Sequence, residues 1–309
     1  MLSNKAKVIS VTGPTCTGKS ALSVVLAERF DGEIINCDSM QVYKYFDIGT
    51  AKPDTDTRKR VPHHLIDVVE PQEEFNAARF KEMADHAIDT IGAHRKIPIL
   101  VGGTGLYLRA LIYGLFKAGK DNDLREKLQE EYSEDPLKFY ERLKETDHDY
   151  AMRISFKDKI RVVRAMEIFL LTGEKVSELE KDHGFKEPRY DILKIGLRKE
   201  KDELYARIND RVNDMVRQGW VEEVKNILSM GISDTVKPFT SIGYRDILLY
   251  IKGSIQHKDM VKDIQTHTRH YAKRQFTWFA KEKGMDWSEY PEDSEEIIRK
   301  VAEFLDIWN

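Results

Sequence analysis

The sequence predicts an α/β fold in which a parallel sheet is flanked by helices and interrupted by an all-helical segment. Over the first 115 residues, short apolar runs alternate with amphipathic stretches, a spacing typical of strand–helix–strand units with right-handed crossovers. A glycine-rich turn links the first apolar run to the first amphipathic stretch. Between residues 118 and 188 the pattern changes to charged helix without a strand-like run.

The N-terminal elements follow from apolar runs and from apolar residues at helical spacing. In order, they are a strand over 8–11, a helix over 20–30 with Leu22, Val25, Leu26 and Phe30 on one face, a strand from Ile34 to near Cys37, a strand over 65–69, a helix over 74–94 and a strand over 97–101. This alternation predicts a parallel arrangement of the strands.

The C-terminal part returns to the α/β pattern and then becomes helical. It contains a strand over 192–197, a helix through Leu204, Ile208, Val212 and Met215 to Gly219, helices over 221–230, 245–251 and 258–281, and a last helix capped by Ser294 with Ile297, Val301, Phe304 and Leu305 inward. We therefore predict an α/β core with C-terminal helices over 1–117 and 190–309, and a helical insertion over 118–189.

Composition excludes several classes of protein. The 309 residues include 50 Lys and Arg against 53 Asp and Glu, so the net charge of −3 excludes a globally basic nucleic-acid protein but allows a local basic face. Two cysteines cannot build a disulfide framework or a four-cysteine zinc site. The N-terminal apolar run is too short for a signal peptide, and no run approaches a membrane span. We expect a cytoplasmic protein.

Residues 13–20, here called the phosphate loop, read GPTCTGKS and match the pattern G-x-x-x-x-G-K-[ST] between a predicted strand and a predicted helix. The glycines allow backbone N–H groups to surround an anion, and the helix N-terminus adds its positive end. Lys19 supplies a positive charge, and the Ser20 hydroxyl can reach a magnesium ion. The loop predicts a di- or triphosphate site on a P-loop NTPase-like sheet. Its residues are Gly13, Pro14, Thr15, Cys16, Thr17, Gly18, Lys19 and Ser20.

A carboxylate is expected near such a loop. The strand over 97–101 ends in Gly102-Gly103-Thr104-Gly105 without one, whereas Asp38 follows the second strand. In a parallel sheet both strand ends lie at the carboxyl edge, where ligands bind. Asp38 is therefore a candidate magnesium ligand or base, with a purely structural capping role beside Ser39 as the alternative.

Six blocks carry a family resemblance. In chain order they are GPTCTGKS, DSMQVYKYFDIGTAKP (38–53), PHHLID (62–67), VGGTGLY (101–107), GYR (243–245) and YAKRQFTWF (271–279). Together they resemble the bacterial tRNA dimethylallyltransferase (IPP transferase) family, whose members prenylate adenosine 37 in the anticodon loop of tRNA. The resemblance runs from residue 8 to about residue 280 and leaves out the acidic tail after Asp286.

The resemblance implies a donor and catalytic residues. The diphosphate of dimethylallyl diphosphate would sit in the phosphate loop with Mg²⁺ at Ser20, and the catalytic residues would be Asp38 as base, Lys19, and Thr17, which stands where the family commonly has serine. Arg211 would point to the diphosphate, whereas a solvated salt bridge is an equal alternative for Arg207. Cys16 replaces the more usual alanine and is interpreted as a tolerated small residue.

The resemblance also implies tRNA contacts. They fall on Asp38, Ser39, Met40, Gln41, Thr104, Arg125, Ile160, Arg161, Val162, Val163 and Arg164. Two segments are locally basic: 153–164 has five Lys and Arg against Asp158, and 262–283 has six against two acids, a net of +4 each. The aromatic residues of the second segment are equally suited to core packing, and Gln275 and Trp278 receive no catalytic role.

The sequence thus favours a monomeric, magnesium-dependent enzyme that transfers a dimethylallyl group to the exocyclic amine of a tRNA adenosine, which we expect to be flipped out of its stack. An adenine-nucleotide prenyltransferase, a P-loop small-molecule kinase and a nucleotide-switch module remain alternatives. The adjacent His63 and His64 lack further ligands at suitable spacing for zinc.

Overall fold

A computed structural model describes residues 5–116 and 118–307 and contains one parallel sheet within them. Its strands are β1 (Lys7–Thr12), β2 (Gly32–Asn36), β3 (His63–His64), β4 (Ile97–Gly102), β5 (Asp191–Leu197) and β6 (Met285–Ser288). The sheet order is β3-β2-β4-β1-β5-β6, and every pairing is parallel. The predicted α/β class with a parallel, P-loop NTPase-like sheet is confirmed.

Helices make up most of the remaining regular structure. They are α1 (Lys19–Arg29), α2 (Thr55–Arg60), α3 (Ala77–Ala93), α4 (Gly105–Tyr113), α5 (Asn122–Glu134), α6 (Pro136–Thr146), α7 (His148–Ala151), α8 (Lys159–Thr172), α9 (Val176–His183), α10 (Lys201–Arg217), α11 (Trp220–Ser229), α12 (Tyr244–Ile251), α13 (His257–Phe279) and α14 (Ser294–Leu305), with a short 3₁₀ helix at Lys237–Thr240. Across the described ranges, none of these helices combines the length and apolar character needed to cross a bilayer.

The chain forms two compact units. The core unit lies within Met1–Ile112 and Arg189–Asn309, and the helical unit within Tyr113–Pro188. The helical unit therefore starts earlier than the insertion predicted at 118–189. Its described part, 113–116 and 118–188, contains no strand.

The parallel register determines which loops meet in the core unit. β1 lies between β4 and β5, with Val11 opposite both Val101 and Ile195. Leu22 and Leu26 of α1 pack against this sheet and are fully buried. Because β1, β2 and β4 run in the same direction, the loops that follow them all emerge at one edge.

Two sequence predictions about strands fail. The strand predicted over 65–69 is absent because Leu65 and Asp67 have φ values of 62° and 57°, in the left-handed region that interrupts an extended chain. Asp67 instead forms ion pairs with Lys52 (2.5 Å) and Arg58 (2.7 Å). Conversely, the four residues of β6 lie in the segment interpreted as an acidic tail and have only a weak strand-like sequence pattern. Pairing with β5 stabilises them as a strand.

Helix ends show smaller differences. The N-cap position of α14 is Asp293 rather than Ser294, whose hydroxyl instead bonds the Pro291 carbonyl. α10 ends at Arg217, and Gly219, with a φ of 98°, immediately precedes α11. The apolar residues predicted to face inward on α10 are buried.

A buried carboxylate organises the helical unit. Glu167 on α8 has no exposed surface and accepts from Arg125 (2.9 Å) and pairs with Arg164 (2.8 Å). Its second oxygen accepts from the Asp121 N–H (3.3 Å). Burial alone would raise the pKa of Glu167, but the hydrogen bonds from Arg164 and Arg125 outweigh it and lower the pKa below 4.5.

We expect Glu167→Gln to destabilise the helical unit by about 2 kcal/mol, because two charge-assisted hydrogen bonds lose their charged acceptor. Since the folded pKa of Glu167 is lowered, its contribution is complete above the unfolded value and is lost as the pH falls through the folded value. Urea unfolding at pH 7 and pH 4 measures both effects. Glu178→Gln, an exposed change in the same unit, is the control. Equal stability of the two variants at pH 7 would contradict the assigned role.

Candidate active site

The phosphate loop forms a tight turn between β1 and α1. Gly13 and Gly18 have φ values of 129° and 96°, and a Cβ on Gly13 would overlap the Leu197 carbonyl. The Thr17 hydroxyl (2.9 Å) and Lys19 Nζ (2.6 Å) both donate to the Pro14 carbonyl. The loop therefore closes around its own lysine at the N-terminus of α1, an arrangement suited to an anion.

Lys19 is the electrostatic centre of the loop. Burial lowers the pKa of Lys19 to about 8; Cys16 and Asp38 act to raise it, whereas Arg211 lowers it further. An entering diphosphate would favour the charged amine, so anion binding and protonation of Lys19 are coupled.

Asp38 is held by its own turn, residues 38–41, here called the Asp38 turn. Its Oδ1 accepts from the backbone N–H groups of Met40 (2.8 Å) and Gln41 (3.3 Å), and its own N–H donates to Asn36 Oδ1 (3.2 Å). Among the described residues, none donates a hydrogen bond to Oδ2. This oxygen is available to accept a proton or to bind a cation.

Two cavities of the core unit adjoin this carboxylate. The smaller, of about 110 Å³, includes Lys19 and Ser20, whereas the larger is about 360 Å³. Residues common to both are Thr15, Asp38, Thr50, Arg211 and Tyr271. The larger cavity has an apolar wall that consists of Ile208, Val212, Met215, Trp220 and Ile242. A carboxylate, two cations and an apolar wall thus surround adjoining spaces.

Tyr271 and Cys37, two other titratable residues near the cavities, are poor proton acceptors at neutral pH. Burial, followed by the Asp38 charge, raises the pKa of Tyr271, and burial raises the pKa of the Cys37 thiol. Nδ1 of His63 is bonded to the Val61 carbonyl at 2.7 Å, which leaves Nε2 as an acceptor, but burial lowers the pKa of His63 and its ring lines only the smaller cavity. Asp38 lines both cavities and is therefore the better placed candidate base.

The structure brings Arg211 to the phosphate loop but not Arg207. Arg211 donates to the Thr15 hydroxyl (3.2 Å) and to Cys16 Sγ (3.5 Å), whereas Arg207 pairs with Glu203 at 2.8 Å. This geometry favours the salt-bridge alternative for Arg207.

Several other predicted site residues make internal contacts. The Thr104 hydroxyl accepts from the Ser39 N–H (3.2 Å), and Gln41 Nε2 donates to the Thr50 carbonyl (2.9 Å). Thr17 is buried and lines neither cavity. A contact between its hydroxyl and substrate stays a prediction.

The predicted tRNA residues of the helical unit have different environments. Ile160 is 82% exposed and Arg161 is exposed beside Asp158, whereas Val162 and Val163 are buried in the apolar core of the unit. A direct side-chain contact with RNA therefore suits Ile160 and Arg161 but not the two valines. The other two, Arg125 and Arg164, are both engaged with Glu167.

The basic segment 153–164 is less charged than its own count indicates, because carboxylates elsewhere in the unit pair with it. Arg153 bonds Glu180 at 2.8 Å, and Arg164 pairs with Glu167. Within the described helical unit, Lys157 and Lys159 have no carboxylate partner, and their ammonium groups lie over aromatic rings.

The donor set fits a divalent metal only if the ligand contributes. No group of three or more His, Cys, Asp or Glu side chains suited to a metal occurs over 5–116 and 118–307. His64 is engaged by Glu33 at 2.7 Å. The Ser20 hydroxyl and the Asp38 carboxylate can supply oxygen ligands, so phosphate oxygens and water would complete the coordination.

Sequence reasoning missed Gln275. This residue is 6% exposed, and its side chain bonds both the phosphate loop and the loop after β4. A signal was present, because Gln275 occupies a position on the buried face of α13 between Ala272 and Phe279. A polar residue at such a position requires a hydrogen-bonding partner.

The fold and its glycine–lysine loop define a P-loop α/β protein with a cradle whose geometry suits an anion. A family model described as IPP transferase matches residues 41–282. The chain belongs to the IPP transferase family, and it is therefore a transferase.

Individual relatives cover nearly the whole chain. A tRNA dimethylallyltransferase 2 of Geotalea uraniireducens is 45% identical over 98% of both chains. The crystal structure of a tRNA isopentenylpyrophosphate transferase from Bacillus halodurans is 36% identical, with a TM-score of 0.72, and the match covers 98% of this chain and 97% of that one. A eukaryotic dimethylallyltransferase acting on tRNA is 32% identical, with a TM-score of 0.81 over 96% of this chain and 78% of that one.

We expect inorganic diphosphate to bind more weakly as the pH rises above 8. The pKa of Lys19 in the folded protein without bound diphosphate is about 8. Above that pH the amine must take up a proton when diphosphate binds, so the dissociation constant rises by up to about tenfold per pH unit. Calorimetric titrations between pH 7 and pH 9.5 measure the slope. After correction for the ionisation of diphosphate itself, the slope disappears in Lys19→Met, and binding is weak throughout. A parental slope in that variant would contradict the assignment.

Proposed function

We propose that this protein transfers the dimethylallyl group of dimethylallyl diphosphate to the exocyclic amine of adenosine 37 in the anticodon loop of tRNA. The observation that carries the proposal is the placement of Asp38 beside two cavities that it shares with Arg211, one of which also includes Lys19. Membership in the IPP transferase family supports the same reaction class.

Asp38 acts on the nucleophile in this proposal. The exocyclic amine of adenine is weakly nucleophilic because its lone pair is delocalised into the ring. As its nitrogen bonds to the first carbon of the dimethylallyl group, the nitrogen loses a proton to Asp38 Oδ2. General-base catalysis of this kind contributes about a hundred- to ten-thousand-fold. The resulting carboxylic acid then releases the proton to solvent.

The phosphate loop acts on the leaving group. The bond between that carbon and the diphosphate oxygen breaks, and the electron pair leaves with the diphosphate. Lys19, Arg211 and the N–H groups at the start of α1 stabilise the developing charge. Magnesium, which Ser20 and the diphosphate would hold together, supplies further positive charge when bound.

The larger cavity is suited to an apolar group between the reactants. Its apolar wall adjoins Thr15 and Asp38, so a short prenyl chain can be covered while its diphosphate stays on the loop. Covering the reacting carbon also excludes water, which would otherwise compete with the amine.

The RNA must present an unstacked base, because an adenine within a base stack cannot reach the carboxylate. The Asp38 turn would contact that base through Ser39 and Met40, which line the larger cavity. In the helical unit, the two lysines without carboxylate partners, Lys157 and Lys159, are the best placed for the RNA backbone, whereas the exposed Ile160 can offer only an apolar contact.

We expect Asp38→Asn to lower the single-turnover rate of prenyl transfer at least about a hundredfold, because the amide cannot accept the proton. The dissociation constant for tRNA should stay within about twofold. Mass spectrometry of tRNA incubated with dimethylallyl diphosphate measures the product.

The outcomes separate the alternatives. An equal loss of tRNA binding would reassign Asp38 to recognition. Prenylation of free adenine nucleotides but not of tRNA would favour the nucleotide prenyltransferase. Transfer of label from ATP to a small molecule would favour a kinase.

Replacing Lys157 and Lys159 together by alanine should weaken tRNA binding, because each phosphate contact releases counterions. The magnitude of the slope of log affinity against log salt concentration should fall by about one to two. Binding is measured by fluorescence anisotropy at several salt concentrations. Arg142→Ala, which removes an exposed arginine paired with Glu131, is the control in the same unit. An unchanged slope in the double variant would place the RNA elsewhere.

A further inference from the structure

We infer that Gln275 is a positioning residue that locks the phosphate loop to the loop after β4 and thereby sets the diphosphate cradle against the Asp38 turn. The inference rests on the proposed function for its catalytic consequence. Gln275 itself need not touch either substrate.

The amide of Gln275 spans two backbone segments. Its Oε1 accepts from the Thr15 N–H at 2.9 Å, and its Nε2 donates to the Gly103 carbonyl at 3.0 Å. One partner is only a donor and the other only an acceptor, so the orientation of the amide is fixed. Because Gln275 is only 6% exposed, water cannot readily replace either bond.

The absence of a side chain at Gly103 makes this contact possible. A Cβ at that position would overlap Gln275 Nε2. Gly103, the second glycine of the sequence VGGTG, is therefore required for packing. Backbone conformation does not require glycine there, since the φ of Gly103 is not positive. The amide and the glycine form one matched pair.

Further hydrogen bonds carry this connection to Asp38. Thr104, the next residue after Gly103, donates its N–H to the Cys37 carbonyl (3.3 Å) and accepts at its hydroxyl from the Ser39 N–H (3.2 Å). On the other side, the Thr15 hydroxyl accepts from Arg211 (3.2 Å). A shift of Gln275 would thus displace both the cation and the carboxylate.

This arrangement separates positioning from binding of RNA. A displacement of about 1 Å between reacting groups costs up to about a hundredfold in rate. Loss of the Gln275 bonds should therefore reduce donor affinity and the transfer rate, whereas the exposed residues that contact tRNA remain in place.

The test uses Gln275→Glu, which keeps the shape of the side chain. At pH 8 its carboxylate can accept from Thr15 but cannot donate to Gly103. We expect the KM for dimethylallyl diphosphate to rise about tenfold and the single-turnover rate to fall about tenfold to a hundredfold. At lower pH a protonated carboxyl group can donate to Gly103, so the ratio of variant to parent activity should rise between pH 8 and pH 6. Gln265→Glu, on the same helix and bonded to Asn213, is the control.

Gly103→Ala tests the same contact without adding charge, with Gly92→Ala, whose Cβ position is open, as its control. The effects of Gln275→Glu and Gly103→Ala on the transfer rate should be non-additive when the two changes are combined.

Calorimetry with inorganic diphosphate measures binding at the phosphate loop independently of turnover. Both variants should bind diphosphate about tenfold more weakly than the parent. Parental diphosphate affinity in Gly103→Ala, or a constant variant-to-parent ratio across pH for Gln275→Glu, would overturn the inference. An inactive parent that binds diphosphate normally would instead refute the proposed function, and the calorimetric arm would still decide the role of Gln275.

Discussion

Parallel pairing of β2, β4 and β1 is the constraint on which the site depends. The phosphate loop, the Asp38 turn and the loop after β4 come from separate parts of the chain, and each follows a strand of the same direction. Their common edge lets backbone groups form the cradle and its supports. Few side chains are then needed to complete the chemistry, because the sheet already fixes the relative positions of their loops.

The site combines burial with unbalanced charge. Over the part of the chain that the structure describes, Lys19 is desolvated and bonded only to a neutral carbonyl, and Asp38 uses one oxygen for its own turn and leaves the other available. Such groups cost stability in the free protein, and a ligand of the opposite charge recovers that cost. The geometry of the cradle is therefore preorganised for an anion.

Much of this architecture could be predicted from the sequence where a local pattern is sufficient. The phosphate loop and the strand before it are specified by an apolar run, glycines and one lysine within a few residues. The failures involve partners distant in sequence. Asp67 forms ion pairs with Lys52 and Arg58 where a strand was predicted. β6 forms by pairing with β5. The positive charge of segment 153–164 is offset by Glu167 and Glu180. Gln275 belongs to the same group, because its bonds join parts of the chain more than 150 residues apart in sequence.

The two edges of the sheet have a consequence beyond the site. The outermost strands are β3, with two residues, and β6, with four. The unpaired backbone N–H and C=O groups of an edge strand can pair with a strand of another molecule. A very short edge strand offers too few hydrogen bonds for such pairing. A core rich in apolar parallel strands is thereby protected against runaway edge-to-edge association at high concentration.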